Sequence, residues 1–484
     1  MSNPQIAREL SDLFESWAGE RPDLVLPLAP SASSRVYYRL KKGGRSAIGT
    51  FGEDDRENRA FLSFSRHFAA KGLPVPKIHA EDLTRSIYLQ EDLGTTTMYS
   101  YLLQRGDSFP DYLYRLYKKT VKQLARLQIE GGEGLDYDLC FPRRAFDRQS
   151  MMWDFNYFKY CFLKPAGLHF DEQELENDMQ RLATFLLEAD DDYFMYRDCQ
   201  TRNIMIVDGH PHFIDYQGGR KGALQYDLAS LLFQAKANIP ASIREEMLEY
   251  YLQSATDLTD IDAVKFVDLY YGFVLMRFIQ VLGAYGYRGL YERKDHFLKS
   301  IPYALENVRW LFDTGRLKVD LPELRSVLMK LAESEKFEPF DRSRGTESLL
   351  TVSINSFSYK KGGVPGDPSG NGGGFVFDCR GLHNPGRYET YKKLTGRDEA
   401  VINFLKQHSR IKYFLSDVYR IVDPTVENYI DRSFTHLQIN FGCTGGQHRS
   451  VFAADAMARH LSEKYGVRTR LRHIVMEAEN WLKN

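Results

Sequence analysis

Tyr196-Arg197-Asp198-Cys199-Gln200-Thr201-Arg202-Asn203, followed a short hairpin later by Phe213-Ile214-Asp215-Tyr216, is the stretch whose reading decides the fold. The apolar run Tyr193 to Tyr196 leads into Asp198, and Asn203 stands five places on. Ile204 to Val207 reads as a short strand that turns at Asp208-Gly209 and returns as His212 to Ile214, ending on Asp215. That order of groups suits phosphoryl transfer. One carboxylate, Asp198, orients an attacking hydroxyl, while an amide and a second carboxylate, Asn203 and Asp215, hold the Mg²⁺ that bridges the phosphates. A polar loop followed by an ordinary Asp-Gly hairpin is the plainer alternative. Three polar groups at this spacing beside two strand ends weigh against it.

Working outward toward the N-terminus, Ile6 to Trp17 has amphipathic helical spacing. Beyond Pro27 and Pro30, Ser31-Ala32-Ser33-Ser34-Arg35 precedes a hairpin, Val36 to Leu40 and Ser46 to Phe51, turning at Lys41-Lys42-Gly43-Gly44-Arg45. Small-residue loops let backbone N–H groups and hydroxyls approach a phosphate, which makes Ser33, Ser34 and Arg35 candidates for covering a nucleotide. Arg56 to Lys71 is a predicted helix with Glu57 near its start, where an acid favours the dipole; Glu57 joins the nucleotide-side candidates. Ile87 to Gln90 reads as a strand, Glu91-Asp92-Leu93-Gly94 as a break, and Met98 to Leu103 as a helix. This succession resembles a two-lobed kinase crossing its hinge. Further helices are predicted over Phe109 to Ile129, Trp153 to Phe162 and Asp171 to Glu188. The aromatic segment Met152 to Phe158 could line a sugar site, since rings stack on sugar faces and acids bind hydroxyls. Trp153 and Asp154, with Arg202, are the sugar-side candidates; a core helix explains the same spacing.

Past the deciding stretch, Gln217 to Gly222 reads as a basic loop, and Gln225 to Ser230 opens a helix with Asp227 as an anchor near its start. Long helical patterns follow over Ser242 to Ala255, Asp262 to Tyr285, Lys299 to Phe312 and Glu323 to Ala332. The most apolar long run, Phe266 to Tyr287, contains Asp268 and Arg277, which favours a buried helix over a membrane span. At 484 residues the chain is too long for one core. Its 64 basic and 65 acidic residues leave a net charge of -1, so no global basic field advertises nucleic acid. Five cysteines without a paired metal spacing indicate reduced thiols. A cytoplasmic protein without a membrane partner is expected.

The last third changes character. Leu349 to Phe357 and Phe375 to Arg380 read as strands, Asp398 to Gln407 and Arg410 to Asp431 as helices, and His436 to Phe441 as a further strand. Such alternation predicts an α/β domain with a mainly parallel sheet. The strand at 436 to 441 runs into Gly442-Cys443-Thr444-Gly445-Gly446-Gln447-His448-Arg449-Ser450 and then a helix, Val451 to Tyr465. A Gly-rich turn at a helix N-terminus is a ready anion site, and His448 and Arg449 would add charge to it. Cys443 and Arg449 also have the Cys-x5-Arg-Ser spacing of cysteine phosphatases, which need an accessible thiolate.

Residues 25 to 325 resemble the aminoglycoside-phosphotransferase/choline-kinase superfamily through Asp198 to Asn203, Phe213-Ile214-Asp215 and Gln225 to Leu232. Within it they are most similar to the N-acetylmuramate/N-acetylglucosamine anomeric kinases, whose Asp-Phe-Gln-like run is here Asp215-Tyr216-Gln217. Tyr196 stands where that family usually has histidine. The strand Ser46 to Phe51 lacks the lysine that holds phosphates in many kinases, a place Arg35, Lys41 or Lys42 could fill. Residues 350 to 475 resemble the C-terminal domain of the RNase adapter protein RapZ through Ser356 to Lys360, Phe377 to Pro385, Leu394-Thr395-Gly396 and Gly442 to Ser450. That resemblance implies a sensor of amino-sugar phosphate that also binds regulatory RNA, with Asp378, Arg380, Thr444, Gly445, Gly446, His448 and Arg449 at the phosphosugar.

The expected architecture is therefore an α+β bilobal protein-kinase-like domain over residues 1–325, a linker over 326–348, and an α/β domain with a mainly parallel sheet over 349–484. The expected activity is ATP- or GTP-dependent phosphorylation of an amino sugar, with Mg²⁺, under a phosphosugar-sensing domain that also engages RNA or a partner protein. The competing expectation is a regulatory phosphosugar- and RNA-binding protein with an inactive kinase lobe.

Overall fold

In the computed structural model the described residues are 4–28, 35–103, 105, 109–334, 337, 348–367, 369, 373–431 and 434–479. The chain forms two compact units, one of Met1–Glu292 with Ser300–Phe340, the other of Arg293–Lys299 with Asp341–Asn484.

The first unit begins with a helix, α1 (Pro4–Ala18), and a five-stranded antiparallel sheet. Its strands are β1 (Leu24–Pro27), β2 (Val36–Lys42), β3 (Arg45–Phe51), β4 (Ile78–Asp82) and β5 (Ile87–Glu91), in the order β1-β2-β3-β5-β4. Pairing of Tyr38 with Gly49, Leu40 with Ala47, and Gly49 with Leu89 gives the sheet one apolar face. Ile6, Leu10, Leu13 and Phe14, spaced along one stripe of α1, bury that face; each fully buried side chain contributes about 1.5–3 kcal/mol. Gly49 has no room for a Cβ, which would lie 2.7 Å from Leu40 and 2.9 Å from Leu10. The opposite face carries Tyr37, Arg39, Ile48, Thr50, Tyr88 and Gln90.

α2 (Asp55–Ala70) is capped by Asp54, whose carboxylate accepts from the Arg56 amide. Beyond β5 the predicted hinge is bolted. Arg39 donates to both oxygens of Asp92 at 2.8 and 2.9 Å and to the Gly94 carbonyl at 2.7 Å. The helical lobe that follows includes Asp111–Ile129, Arg148–Phe158, Glu172–Leu186, Leu224–Leu232, Ala241–Thr256, Ala263–Tyr285 and Ile301–Asp313. Ala263–Tyr291 is apolar and long enough to cross a membrane, but 78% of its most apolar window is buried inside the protein. It is the core helix of this lobe, as its charged residues imply.

Two short ribbons carry the deciding stretch. β7 (Ile204–Val207) and β8 (His210–Phe213) form the expected hairpin. The expected basic loop at 217–222 is only partly a loop, because Arg220–Gly222 forms β9, antiparallel to β6 (Tyr193–Met195). Gly222 permits that approach: a Cβ there would sit 2.6 Å from the Met195 side chain. The helix Pro322–Ala332 occupies the first part of the expected linker, burying Leu324, Val327, Leu328 and Leu331.

The second unit is built on a wholly parallel sheet of β10 (Ser348–Ser358), β11 (Gly374–Asp378), β12 (His436–Cys443) and β13 (Val467–His473), ordered β11-β12-β10-β13. Val352, Ile354, Leu437, Ile439 and Phe441 form its core with the helices Glu399–His408, Ile411–Asp431 and Arg449–Tyr465. β13 has no counterpart in the sequence-based expectation. Its alternating arginines hide a strand that lies at the sheet edge.

Candidate active site

The catalytic loop is fixed by its backbone before any side chain acts. Asp227, fully buried on Leu224–Leu232, accepts from the amides of Tyr196 and Arg197 at 2.7 and 2.8 Å and from Gln128 Nε2 at 2.9 Å. The anchor expected at Asp227 thus holds the loop rather than its own helix. Burial pushes its carboxyl up to about 7, against those three donors. Arg197 and Asp215 both adopt left-handed backbone, φ 77° and 65°. Such strain in residues with side chains gathers at functional sites.

Within this frame the three expected groups converge. Asn203 Nδ2 donates to the Asp198 carbonyl at 3.1 Å and lies 3.4 Å from Asp198 Oδ2. Pinning the amide nitrogen leaves the amide oxygen available as a ligand. Gln200 also donates to Asp198 Oδ1. Asp215 accepts from Gln217 at 2.8 Å. Its carboxyl is raised by burial and by the Asp198 charge, with Gln217 and Arg35 opposing. Two facing carboxylates and an amide oxygen are a donor set that favours a hard divalent cation. Among the described residues no cluster of three or more His, Cys, Asp or Glu could hold a metal. Tyr196 takes over from the family histidine by joining the two segments: its hydroxyl donates to the Ile214 carbonyl and lies 3.1 Å from that of Asn203. Tyr216 is buried against Phe61 and Phe68, with its hydroxyl 2.6 Å from Ser65 on α2.

On the nucleotide side, Arg35 is buried, and its guanidinium lies 3.5 Å from Glu57 on α2. The Asp215 charge also bears on it. Arg35 Nε and Nη2 find no hydrogen-bond acceptor among the described residues, so two buried donors fit a phosphate. The Arg35–Glu57 contact joins a cation to a helix carboxylate, the same combination of charges as the lysine–glutamate pair of kinases. Lys42 is turned away onto Asp23 and Glu20. Ser33 and Ser34 lie outside the described residues.

The sugar-side expectation needs correction. Both oxygens of Asp154 are taken by Arg197 Nη2, at 2.8 and 2.7 Å, so Asp154 positions the catalytic loop instead of facing a ligand. Trp153, on the neighbouring helix position, is half-exposed beneath Arg143. Arg202 is exposed and rests on the Tyr99 ring, 4.7 Å from its centroid. Sequence reasoning missed Arg277, whose Nη2 lies 3.4 Å from Asp198 Oδ1. Its signal was a lone arginine inside an apolar helix.

The loop of the second unit also departs from expectation. His448 turns inward, Nε2 donating to the Tyr391 carbonyl at 2.9 Å. Burial lowers its pKa, so the ring is neutral at pH 7 and supplies no charge. Arg449 is buried and donates to the carbonyls of Arg380 and Leu382 at 3.0 and 2.8 Å. Both residues hold the loop, as does Gln447, which donates to the carbonyls of Lys392 and Leu394. Gly396 completes the clasp, since a Cβ would meet the His448 carbonyl at 2.2 Å. The groups left to face an anion are Thr444, the exposed Gly445, and the exposed Asp378–Arg380 pair, whose guanidinium lies 4.0 Å from the Tyr359 ring centroid. Gly446 supplies left-handed backbone, φ 70°. Cys443 is 2% exposed, with its sulfur 3.2 Å from the Gly446 amide and 3.1 Å from the Ser450 hydroxyl. A phosphatase would need that thiol in the open.

A twisted small lobe, a hinge, a helical lobe and a carboxylate–amide–carboxylate cleft define a kinase-like phosphotransferase, followed by a parallel α/β domain. The chain belongs to the phosphotransferase enzyme family, which it matches over residues 25–266, half its length, and it carries a RapZ C-terminal domain at 350–476. It is 36% identical over 166 residues to a nucleotide-binding protein of Endomicrobium trichonymphae, covering 34% of this chain and 52% of that one. It is 41% identical over 120 residues to one of Cereibacter sphaeroides (strain ATCC 17025), covering 25% and 38%. The chain thus spans about half or less of the length of these curated relatives. Similar solved structures include a choline kinase from Cryptosporidium parvum (12% identity, 68% of this chain and 100% of that one, TM-score 0.45). Another is a spectinomycin phosphotransferase in complex with ADP and spectinomycin (14%, 65% and 100%, TM-score 0.43).

Proposed function

We propose that the first unit transfers the terminal phosphoryl group of ATP or GTP to a sugar hydroxyl, an amino sugar such as N-acetylmuramate or N-acetylglucosamine, in a cytoplasmic, cell-wall-recycling setting. The observation that carries this is the convergence of Asp198, Asn203 and Asp215 opposite the buried, partly unpaired Arg35. Asp198 orients the acceptor hydroxyl and takes its proton as the oxygen attacks phosphorus. Arg35, held by Glu57, binds the phosphates, with Ser33 and Ser34 in the covering loop. Asn203 and Asp215 would hold Mg²⁺, which when bound neutralises charge on the transferring phosphates. An inactive lobe is the reading that a missing lysine favours; Arg35 supplies the cation in its place.

The test is nucleotide consumption by the full chain across a panel of amino sugars. One sugar should stimulate turnover, and Asp198→Asn should lower kcat about 100-fold or more. No stimulation by any sugar, or full activity in the variant, refutes the reading.

The second unit, in this proposal, senses a sugar phosphate such as glucosamine 6-phosphate through Thr444, Gly445, Gly446, Asp378 and Arg380, with His448 and Arg449 acting from behind the loop. Regulatory RNA is its proposed macromolecular partner, ahead of a partner protein. Arg468, Arg470 and Arg472 project from one face of the edge strand β13, a basic row for a phosphate backbone.

A further inference from the structure

The buried arginines around the catalytic loop are matched very differently. Arg197 has Asp154 at 2.7 Å, and Arg39 at the hinge has Asp92 at 2.8 Å. Arg277 has no such carboxylate, although it is only 7% exposed. Its Nη1 donates to the neutral Gln280 at 2.8 Å and lies 3.4 Å from the Tyr226 hydroxyl. Its one ion-pair partner among the described residues is Asp198, at 3.4 Å. That carboxylate is the group that must turn to an acceptor hydroxyl. A guanidinium kept out of water needs a counter-charge, because an unpaired buried ion is strongly destabilising. Arg220 adds to the imbalance: it is buried, donates only to the Gly218 carbonyl, and is pulled down to about 10 by burial and then by Arg197. Of the other nearby carboxylates, Asp227 is occupied by three N–H donors, and Asp215 accepts from Gln217 and lies in the field of Arg35. Arg202, on the catalytic loop itself, makes no ion pair among the described residues, and it and Arg277 both act electrostatically on Tyr285.

We propose that the acceptor sugar carries an anionic substituent, a carboxylate or a phosphate, bound by Arg277 and Arg202 beside Asp198. The inference rests on the phosphotransferase reading and names its substrate class. It sets this cleft apart from one that receives a polycationic acceptor, which these guanidinium groups would repel.

The test uses the full chain with Mg²⁺, ATP and matched acceptors: a sugar acid, a sugar phosphate, their neutral parent and a cationic amino sugar. The anionic acceptors should have the lowest KM, and which of the two is lower identifies the substituent. Arg277→Gln should raise that KM about 10- to 100-fold and so shrink the KM ratio between anionic and neutral acceptors, while kcat for both falls because Arg277 touches Asp198. Arg202→Gln, at an exposed position that tolerates substitution, should act in the same direction. Binding is read separately, as the rise in melting temperature each sugar gives the wild-type chain with a non-hydrolysable ATP analogue. Preference for the neutral or cationic sugar, or equal loss for charged and neutral acceptors in both variants, overturns the inference. A shift produced by anionic sugars and lost in Arg202→Gln, without turnover, upholds the anion site and refutes phosphoryl transfer instead.

Discussion

Arg35 was one of three basic residues that could stand in for a lysine missing from β3, and its neighbours now distinguish it from Lys42, which is drawn onto Asp23 and Glu20. β3 has no lysine, and the buried guanidinium of Arg35, just ahead of β2, meets Glu57 on α2. Two of its donors have no partner among the described residues, so Arg35→Gln should raise the nucleotide KM about 10- to 100-fold with Arg35→Lys recovering part of the loss, as steady-state kinetics at saturating acceptor would show. Asp227 makes a prediction about pH. Its folded-state carboxyl titrates at about 7, above the ordinary value. The stability it contributes is therefore fully present below the unfolded-state pKa and is lost as pH rises through about 7. Asp227→Asn removes this titration. The wild type should lose about 3 kcal/mol relative to the variant between pH 5 and 8, measured by urea unfolding at each pH. The juxtaposition of Asp198, Asn203 and Asp215 was legible because their spacing follows from the chemistry. Arg277 was not, because nothing in a lone arginine on an apolar helix says which side chain it will meet. Asp154 was misassigned for the same reason, its partner lying 43 positions away in the chain.

Among the elements, those with a strong period were readable. The helices at 4–18, 55–70 and 263–285 and the hairpin of β2 and β3 lie where apolar spacing puts them. β9 was missed because three residues are too short to show a period, and its strand character comes from pairing with the apolar β6. Val467–His473 does alternate, but three of its seven residues are exposed arginines, so its charge masks the strand that pairs with the buried β10. The β2–β3 register also decides which positions of β3 can take a lysine: Ile48 and Thr50 lie on the face opposite α1, and Gly49 does not. Position 49 points into the layer beneath α1, not into the cleft. Gly49→Lys should destabilise the first unit by about 1–3 kcal/mol in urea unfolding, without improving nucleotide affinity.

For the whole molecule, two folds with different strand arrangements could be told apart because the pattern shifts from long helices to alternating strands and helices near residue 350. The span between them, 335–347, lies almost wholly outside the described residues. What the sequence could not convey is how the working cleft weighs on the fold that carries it. Asp215 combines φ 65° with a carboxylate that burial and Asp198 disfavour. Glycine would relax the backbone and remove the charge together. Asp215→Gly should therefore abolish phosphoryl transfer while raising the melting temperature, by about 1–2 °C for each kcal/mol of relieved strain. Selection for thermal resistance alone would then drift toward inactive chains, and an enzyme of this kind has to be screened for turnover and heat tolerance at once.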